Sequence, residues 1–458
     1  MDKSALLARQ RAFFRTGATR SGSFRADRLR ALDAALAQHE HTLLDALRAD
    51  LGKSPQDAYT TEIAFLRAEI RHALRHLSAW MKPQRRSAPR FAWPARARVV
   101  AEPFGVALVI GPWNYPLQLL LAPTVAAIAA GNCAVLKPSE LAPQTSAAVA
   151  ALIAGFFDPE HLAVVEGGRE TAEALLRERF DKIFFTGGGV AGRAVMAAAA
   201  VQLTPVTLEL GGKCPCLVAD DAPLAVTARR IAWGKFLNAG QTCVAPDHVW
   251  VPRARLDGLL EELRAALRSF YGPSARQSPD YGRIINHRHF ERVRGYLADG
   301  TVFHGGACDE AERFIEPTIL TNPAPGSAVM GEEIFGPVLP VLPYDDWDDL
   351  LARLREEPAP LALYLFTGDR GLEERVIAGT RSGGVCVNDT IMHILGPDLP
   401  FGGLGESGMG RYHGRAGFEC FSHQRSVLRR SLAFDPRFRY PPVKLPLAAL
   451  KRVLKWFG

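Results

Sequence analysis

The amino-acid sequence predicts an α/β protein in which parallel sheets are covered by helices. Short apolar runs such as Val106–Ile110 alternate with segments of helical periodicity between residues 98 and 209. The same alternation resumes after residue 243 and reaches Ala362–Phe366. Strands that alternate with helices are typical of parallel sheets, because each crossover places a helix on one face of the sheet. The chain has 458 residues, more than one hydrophobic core usually serves, so we expect two or more domains.

The composition is that of a soluble globular protein, with 48% hydrophobic and 22% charged residues and no run apolar enough to cross a bilayer. The net charge of +7 comes from dispersed arginines, which favours attraction to nucleotides over a nucleic-acid surface. The seven scattered cysteines have no zinc-ligand spacing. We therefore expect no metal site and a reduced, cytoplasmic compartment. The first residues lack the apolar core of a secretion signal.

The ends of the chain predict helices and one extended segment. Residues 4–81 read as helices, since Leu29, Leu32 and Leu36 recur at helical spacing. A basic segment with several prolines follows at residues 85–94 and is too short for a core of its own, so we expect it to lie against other parts of the chain or another subunit. After Pro446 the sequence predicts a short basic amphipathic helix. Its apolar face would consist of Leu447, Leu450, Leu454 and Phe457.

Two segments provide the groups for covalent acyl chemistry. Cys243 follows a glycine and small polar residues, whereas Cys133 lies in an unbroken apolar run as a structural cysteine would. Glu209 ends a strand just before two glycines. A nucleophilic thiol with a nearby carboxylate base is the minimum that such chemistry requires. Taken alone, Glu209 is equally compatible with an ion-paired carboxylate at a strand end.

Three further segments suit a nucleotide and a developing negative charge. The glycines of residues 187–192 lie between a strand and a helix, where a phosphate can approach backbone amides, although a tight turn has the same pattern. Lys137 and Glu140 end another strand and suit a ribose, or form a solvated pair in a loop. Asn114 lies between two prolines and is a candidate oxyanion donor, or a simple turn residue.

Together these segments resemble the aldehyde dehydrogenase superfamily over essentially the whole chain. The matching pieces occur in the family's order: 111–116 (GPWNYP), 137–140 (KPSE), 185–187 (FTG), 208–213 (LELGGK), 240–243 (GQTC) and 333–337 (EIFGP). The start of the chain without an N-terminal extension resembles the class 3 branch of fatty, aromatic and coniferyl aldehyde dehydrogenases. The segments 399–403 (LPFGG), 407–410 (SGMG) and 412–414 (YHG) resemble the same branch.

The resemblance implies a role for each site residue. Cys243 would be the nucleophile and Glu209 the general base, while Asn114 and the backbone amide of Cys243 would form the oxyanion hole. The cofactor would be held by Lys137 and Glu140 at the adenosine ribose, Gly187 and the helix start up to Gly192 at the pyrophosphate, Glu333 at the nicotinamide ribose, and Phe335 beside the nicotinamide. His413 is interpreted as structural, because the thiol already has a better-placed carboxylate.

The implied reaction is the NAD(P)-dependent oxidation of an apolar aldehyde, either medium- or long-chain aliphatic or aromatic, to its carboxylic acid. Apolar residues near Tyr115, Leu119, Trp233 and 391–395 favour such substrates over charged ones. Glu140 should repel the additional phosphate of NADP, so we expect NAD to be preferred and NADP to be accepted. Gly188 departs from relatives that often place a polar side chain there, which leaves this preference open.

The resemblance also implies a domain organisation. We expect a Rossmann-like NAD(P)-binding domain from residues 1–81 and 99–209, a catalytic α/β domain from 210–415, a small β oligomerisation arm from 82–98 and 416–440, and an amphipathic tail from 441–458. The arm implies a homodimer. The tail is expected to pack on the protein and cap a substrate tunnel, with weak contact to a membrane surface as the minority alternative.

Two competing functions remain open. A CoA-acylating aldehyde dehydrogenase would transfer the acyl group to CoA and would need no base for water, and the presence of Glu209 argues against it. An inactive, membrane-associated or structural homologue is favoured only by the basic tail. The complete set of Cys243, Glu209 and Asn114 argues for an active enzyme.

Overall fold

A computed structural model describes residues 2–435, 439–442 and 446–457. Its strands are β1 Gln84–Arg86, β2 Ala95–Pro103, β3 Val106–Ile110, β4 Cys133–Lys137, β5 Leu162–Val164, β6 Lys182–Thr186, β7 Val206–Glu209, β8 Pro215–Val218, β9 His248–Pro252, β10 Thr301–His304, β11 Cys308–Asp309, β12 Phe314–Ile315, β13 Thr318–Thr321, β14 Val338–Tyr344, β15 Ala362–Phe366, β16 Gly384–Val387, β17 Gly408–Met409 and β18 Ser422–Arg430.

The helices of the described residues are α1 Lys3–Arg15, α2 Gly22–Gln38, α3 Glu40–Leu51, α4 Pro55–Ala58, α5 Ala64–Trp80, α6 Gln118–Ala130, α7 Pro143–Phe156, α8 Arg169–Arg177, α9 Gly189–Val201, α10 Leu224–Phe236, α11 Leu256–Tyr271, α12 His287–Gly295, α13 Ala328–Gly331, α14 Trp347–Glu356, α15 Arg370–Gly379, α16 Gly414–Cys420 and α17 Leu447–Phe457. A π-helical turn, Tyr59–Ile63, joins α4 to α5. None of these helices has both the length and the apolarity that a membrane crossing requires.

The first sheet has the order β17-β7-β6-β3-β4-β5, with β3 to β7 parallel and β17 antiparallel at one edge. Alternate side chains of β3 enter two separate cores, because successive residues of a strand point to opposite faces. Ala107 and Val109 pack with α2, α3, α5, α6 and α7, while Val106 and Leu108 pack with α1, α8 and α9. The predicted parallel sheet with helices on both faces is confirmed.

The second sheet has the order β10-β13-β14-β9-β8-β15-β16, and all neighbours except β10 and β13 are parallel. Buried residues of α10 and α11 cover one face of this sheet. Leucines of α14 and Val376 of α15 cover the other face. The second α/β unit predicted from the alternation of strands and helices is therefore present.

The third sheet is antiparallel and has the order β1-β2-β18. Strand β2 continues to Pro103, where it pairs with Ser422, so this sheet extends beyond the predicted boundary at residue 98. Residues 416–420 belong to α16, which packs on α5 and α6 instead of lying in the arm. The cause is apolar burial, since Phe418 and Phe421 are 2% and 0% exposed in the core of the first sheet.

The tail forms the predicted helix as α17. Leu447 is 65% exposed, whereas the side chains of Leu454 and Phe457, which complete the predicted apolar face, lie outside the described residues.

Candidate active site

Several of the predicted residues lie at the carboxyl ends of neighbouring parallel strands of the first sheet, which is the usual ligand edge of such a sheet, whereas Cys243, Glu333 and Phe335 lie in loops that precede β9 and β14. Asn114 lies in the connection after β3, and Lys137 is the last residue of β4. Gly187 follows β6, and Glu209 is the last residue of β7. Side chains far apart in sequence therefore face one crevice.

The segment before Cys243 has an unusual backbone. Asn238, Ala239 and Gly240 have φ angles of 54°, 52° and 74°, in the left-handed region that L-residues rarely adopt. Gln241 is fully buried and holds this segment in place: its Nε2 donates to the carbonyls of Asn238 and Arg283, both at 3.0 Å. Its Oε1 accepts a hydrogen bond of 3.0 Å from the amide of Ile285. Cys243, the predicted nucleophile, thus lies on a segment fixed by side-chain hydrogen bonds.

Asn114 is tied to the same segment by two hydrogen bonds. Its Nδ2 donates to the carbonyl of Gln241 at 3.0 Å, and its own carbonyl accepts from Asn238 Nδ2 at 2.8 Å. A side-chain amide has two N–H donors, so one remains for a developing oxyanion. Asn114 is 3% exposed, which keeps that donor away from bulk water.

A buried ion pair fixes the segment that carries Asn114. Glu62, on the π-helical turn, accepts hydrogen bonds from the amides of Leu117 and Gln118 at 2.9 and 3.1 Å. Its other oxygen contacts Lys53 Nζ at 2.5 Å, and both side chains are fully buried. These amides lie at the start of α6. Glu62 therefore fixes the start of α6 and, with it, the connection from β3 that contains Asn114.

One cavity of about 230 Å³ brings together most of the predicted residues. It is lined by Asn114, Gly187, Glu209, Cys243, Glu333 and Phe335. Trp113, His289 and Arg292 also line it and were not predicted from the sequence. No local pattern marks His289 or Arg292, because they lie on α12 of the second unit and reach the crevice only after folding.

The glycines of this cavity leave room for a dinucleotide. A Cβ atom at Gly188 would have open space around it, and one at Gly187 would lie 2.6 Å from the ring of Phe185. Glu333 approaches Gly211 so closely that a Cβ there would lie 2.2 Å from its carboxylate, and Glu333 Oε1 is buried without a partner. An unpaired buried carboxylate oxygen suits a ribose hydroxyl, so the residues present fit NAD(P).

Three predicted cofactor residues lie beside this cavity and do not line it. Lys137 Nζ and Glu140 Oε2 form an ion pair of 2.8 Å at the end of β4. Gly192 allows α9 to approach β7, since a Cβ there would lie 2.7 Å from Leu210. The geometry accordingly gives Gly192 a packing role.

Burial raises the pKa values of the thiol and of the two carboxyl groups beside it. Burial, followed by the charges of Glu333 and Glu209, raises the pKa of Cys243 to about 12. Burial raises the pKa of Glu209 well above its ordinary value, and a smaller effect of Arg411 opposes it. Burial likewise raises the pKa of Glu333 to about 7. Among the described residues, neither carboxylate oxygen of Glu209 has a hydrogen-bond partner, so the group is free to exchange a proton.

A second cavity of about 260 Å³ reaches Cys243 from another side. It is lined mainly by apolar and aromatic side chains: Phe65, Tyr115, Leu119, Trp233, Leu237, Val244, Ile391, Met392, Ile394, Leu395, Phe401 and Tyr412. The predicted contributions of Tyr115, Leu119, Trp233 and the segment 391–395 are confirmed. His413, interpreted from the sequence as structural, also lines this cavity. Such a lining suits an apolar aldehyde and disfavours a charged one.

Comparison with known proteins agrees with this geometry. The aldehyde dehydrogenase family profile matches residues 2–427. The 4,4'-diaponeurosporen-aldehyde dehydrogenase of Staphylococcus aureus is 44% identical over 97% of both chains. The dimeric NADP-preferring aldehyde dehydrogenase of Rattus norvegicus is 45% identical over 97% of this chain and 99% of the relative.

Solved structures agree as well. The substrate-bound AldH of Staphylococcus aureus superposes with a TM-score of 0.96 at 42% identity, over 99% of both chains. The aldehyde dehydrogenase of Mycobacterium tuberculosis complexed with NAD+ superposes with a TM-score of 0.84 at 30% identity, over 93% of this chain and 89% of that one. The chain therefore belongs to the aldehyde dehydrogenase family, and it is an enzyme that oxidises apolar aldehydes with NAD(P).

Proposed function

We propose that the protein oxidises medium- or long-chain aliphatic or aromatic aldehydes to carboxylic acids through a thioester on Cys243. The observation that carries this proposal is the position of Cys243 between two cavities of different chemistry. One has glycine backbone and an unpaired carboxylate suited to a dinucleotide, and the other is apolar. A sulfur at their junction can contact the aldehyde carbon and face a hydride acceptor.

In the proposed reaction, Cys243 Sγ adds to the aldehyde carbon and the carbonyl oxygen becomes an oxyanion. The free N–H of Asn114 and the backbone amide of Cys243 stabilise this oxyanion. NAD(P) would supply the hydride acceptor, and Glu333, Phe335, Gly187 and the Lys137–Glu140 pair would hold it. Loss of the hydride leaves a thioester on Cys243. Glu209 then takes a proton from water, and the hydroxide displaces the sulfur to give the carboxylic acid.

The raised pKa of the thiol requires a proton acceptor during the first step. A thiol with a pKa of about 12 is almost entirely protonated at neutral pH. Glu209 and Glu333 both face the same cavity, and burial raises the pKa of each. A carboxylate with a raised pKa is a stronger base than an ordinary one, so either can receive the thiol proton as the C–S bond forms.

We propose that NAD is preferred and that NADP is accepted. Glu140 is half-exposed beside Lys137 at the end of β4, where its charge would repel a ribose phosphate. The open space at Gly188 leaves other phosphate positions accessible. Measured kcat/KM values for both cofactors test this, and a strong NADP preference would refute the role given to Glu140.

The two competing functions make different predictions. Glu209 lines the cavity next to Cys243, which supports water over CoA as the acyl acceptor. Formation of acyl-CoA when CoA is added would favour the CoA-acylating alternative. Absence of NADH formation with every aldehyde tested would favour an inactive homologue.

For the assembly, we propose a homodimer in which β18, an edge strand of its sheet in the described chain, contacts a second copy. We further propose that the first sheet with residues 1–81 and 104–209 forms the cofactor domain, that residues 210–415 form most of the catalytic domain, and that the arm includes residues 82–103 and 422–440. Residues 441–458 form the tail, which packs over the substrate opening, with membrane contact as the alternative. Cysteines without disulfide partners favour a cytoplasmic setting.

A substrate panel with purified protein tests the proposed function most directly. We expect hexanal and benzaldehyde to give higher kcat/KM values than succinic semialdehyde, because burying a second carboxylate in the apolar cavity is costly. Mass spectrometry of the Glu209→Gln variant, mixed with hexanal and NAD, should detect the acyl group on Cys243. Full turnover of Cys243→Ser, or the reverse ranking of substrates, would refute the proposal.

A further inference from the structure

Two neighbouring side chains in the apolar cavity carry polar atoms that the proposed mechanism does not use. Tyr412 and His413 both line this cavity and are 1% and 3% exposed. Their rings are stacked, with centroids 4.0 Å apart and an interplanar angle of 30°. The Tyr412 hydroxyl is buried and has no hydrogen-bond partner in the described part of the chain. Buried hydroxyls normally have a hydrogen-bond partner, so this unpaired hydroxyl indicates a position at which a ligand could form a hydrogen bond.

His413 is oriented by a carboxylate on one side only. Its Nδ1 lies 3.6 Å from Glu69 Oε1, and the other oxygen of Glu69 accepts a hydrogen bond of 3.3 Å from the amide of Gly414. Phe65 and Phe401 contact the ring, with centroids 5.3 and 5.7 Å away. Within the described chain, neither ring nitrogen of His413 makes a hydrogen bond, and Nδ1 is buried. The imidazole therefore retains hydrogen-bonding capacity that the described residues do not use.

The backbone at His413 is strained in a way that places this ring. Its φ and ψ angles are 73° and 140°, a combination that residues with a side chain rarely adopt. Residues in such conformations persist where their surroundings force them, and they cluster at ligand-binding sites. A glycine would relieve the strain but would remove the imidazole from the cavity.

Other hydroxyl groups of the same cavity are already satisfied. Thr60 and Thr61 donate to the backbone carbonyls of Gln56 and Asp57, both at 2.7 Å. Thr242 is paired with the hydroxyl of Tyr115 at 2.8 Å. The unpaired hydroxyl of Tyr412 is therefore not a general property of this lining.

We propose that Tyr412 Oη and His413 Nε2 form a polar subsite that binds a hydroxyl group carried by the substrate in addition to its aldehyde. The inference rests on the proposed function and narrows its substrate class to apolar aldehydes bearing a hydroxyl. A hydroxyl both donates and accepts, so it pairs with the phenol and with either protonation state of the imidazole. Glu69 acts here as a positioning residue, because it touches the ring and not the substrate.

The test compares ω-hydroxyaldehydes with unsubstituted aldehydes of equal chain length, over a series of lengths. For the wild-type enzyme, we expect kcat/KM of the ω-hydroxyaldehyde to exceed that of the unsubstituted aldehyde of equal length by about tenfold. This ratio should appear at the chain length that places the hydroxyl group in the subsite. Tyr412→Phe removes one oxygen and should reduce this ratio by roughly tenfold. His413→Gln, which keeps a hydrogen-bonding group, should retain more of the ratio than His413→Phe.

Tyr344→Phe is the matched control, since it deletes a buried hydroxyl that lines neither cavity and donates to the carbonyl of Val218 at 2.9 Å. It should leave the ratio unchanged. The melting temperature distinguishes a binding role of Tyr412 from a structural one. If its hydroxyl has no internal partner, Tyr412→Phe should keep or raise the melting temperature, whereas loss of an internal hydrogen bond would lower the melting temperature.

A hydroxyl preference that is absent at every length, or is equal in wild type and Tyr412→Phe, overturns the inference. If Tyr412→Phe lowers kcat/KM equally for both substrates, the inference is also overturned. That result would mean that the Tyr412 hydroxyl acts in aldehyde oxidation, which both substrates undergo, and does not bind the substrate hydroxyl. Turnover of hexanal without any hydroxyl preference would leave the proposed function intact. Absence of turnover with all aldehydes would instead refute the proposed function itself.

Discussion

At the residue scale, the oxyanion role of Asn114 makes the clearest prediction. Asn114→Ala removes the side-chain N–H proposed to stabilise the oxyanion, so we expect kcat to fall by about a hundredfold or more. NAD binding should persist, because the glycines and Glu333 that fit the dinucleotide remain in place. Steady-state kinetics and a fluorescence titration with NADH measure the two effects. Wild-type turnover in this variant would show that Asn114 is only a structural amide.

Glu209 couples catalysis to stability at the same scale. Because burial raises its pKa in the folded protein, the folded state binds more protons than the unfolded state between the two pKa values. Stability is therefore lost as the pH rises through that window, when an unpaired buried carboxylate must ionise. Glu209→Gln cannot ionise, so we expect it to raise the melting temperature by a few degrees at pH 8 and by less at pH 5.

Glu406→Gln is the control for this effect, because Glu406 has a 63% exposed side chain and pairs with Arg193 at the surface. The melting temperature of Glu406→Gln, measured relative to wild type, should not increase between pH 5 and pH 8. The same Glu209→Gln variant should lose turnover, since water then lacks its base. If Glu209→Gln raises the melting temperature by the same amount at pH 5 and at pH 8, ionisation of the buried carboxylate is not the cause of the increase.

At the scale of the element, the segment before Cys243 depends on one glycine. Gly240 has a φ of 74°, and a Cβ atom there would lie 2.2 Å from the carbonyl oxygen of Gly336. Gly240→Ala therefore combines backbone strain with a collision against the segment that follows Glu333. We expect a loss of about 2 kcal/mol or more in the free energy of unfolding, together with a large fall in kcat.

Gly326→Ala is the matched control, since Gly326 has almost the same φ of 75° but no atom near its Cβ position. It should show the cost of the left-handed backbone alone, about 1 kcal/mol. Chemical denaturation and steady-state kinetics compare the two variants. Equal effects would show that the contact with Gly336 does not matter.

At the scale of the whole molecule, the arm should determine the oligomeric state. Strand β18 is nine residues long and pairs on one side with β2 in the described chain, and its Leu428 is 53% exposed. A long edge strand with an exposed leucine is suited to pairing with another copy. Leu428→Asp should shift the protein from dimer to monomer in analytical ultracentrifugation, because it places a charge in the apolar contact.

Ile377→Asp provides the comparison, since Ile377 is 47% exposed on α15, outside the arm. It should leave the sedimentation of the protein unchanged. A Leu428→Asp protein that remains fully dimeric would move the proposed interface away from β18.

The residues found from the sequence are those marked by short motifs. Cys243, Glu209, Asn114 and Glu333 each lie in a local pattern of glycines, prolines and strand ends, and the structure brings all four to one cavity. The parallel sheets were predictable for a similar reason, because alternating apolar periodicity is a local property of the chain. The motifs do not show which hydrogen bonds and packing contacts from other segments hold these residues in place.

Sequence alone predicted the two-sheet α/β class and the residues that we propose carry the chemistry of this protein. Tertiary structure decided how those groups are held, because the holding contacts join distant segments: the hydrogen bond from Asn114 to Gln241 spans 127 residues. Glu62 under α6 has no recognisable local pattern, and the motif that contains Tyr412 does not show that its hydroxyl lacks a partner, since burial and pairing arise only when separate elements pack together. The extent of the arm was decided in the same way, because the burial of Phe418 and Phe421 draws that segment into the core of the first sheet.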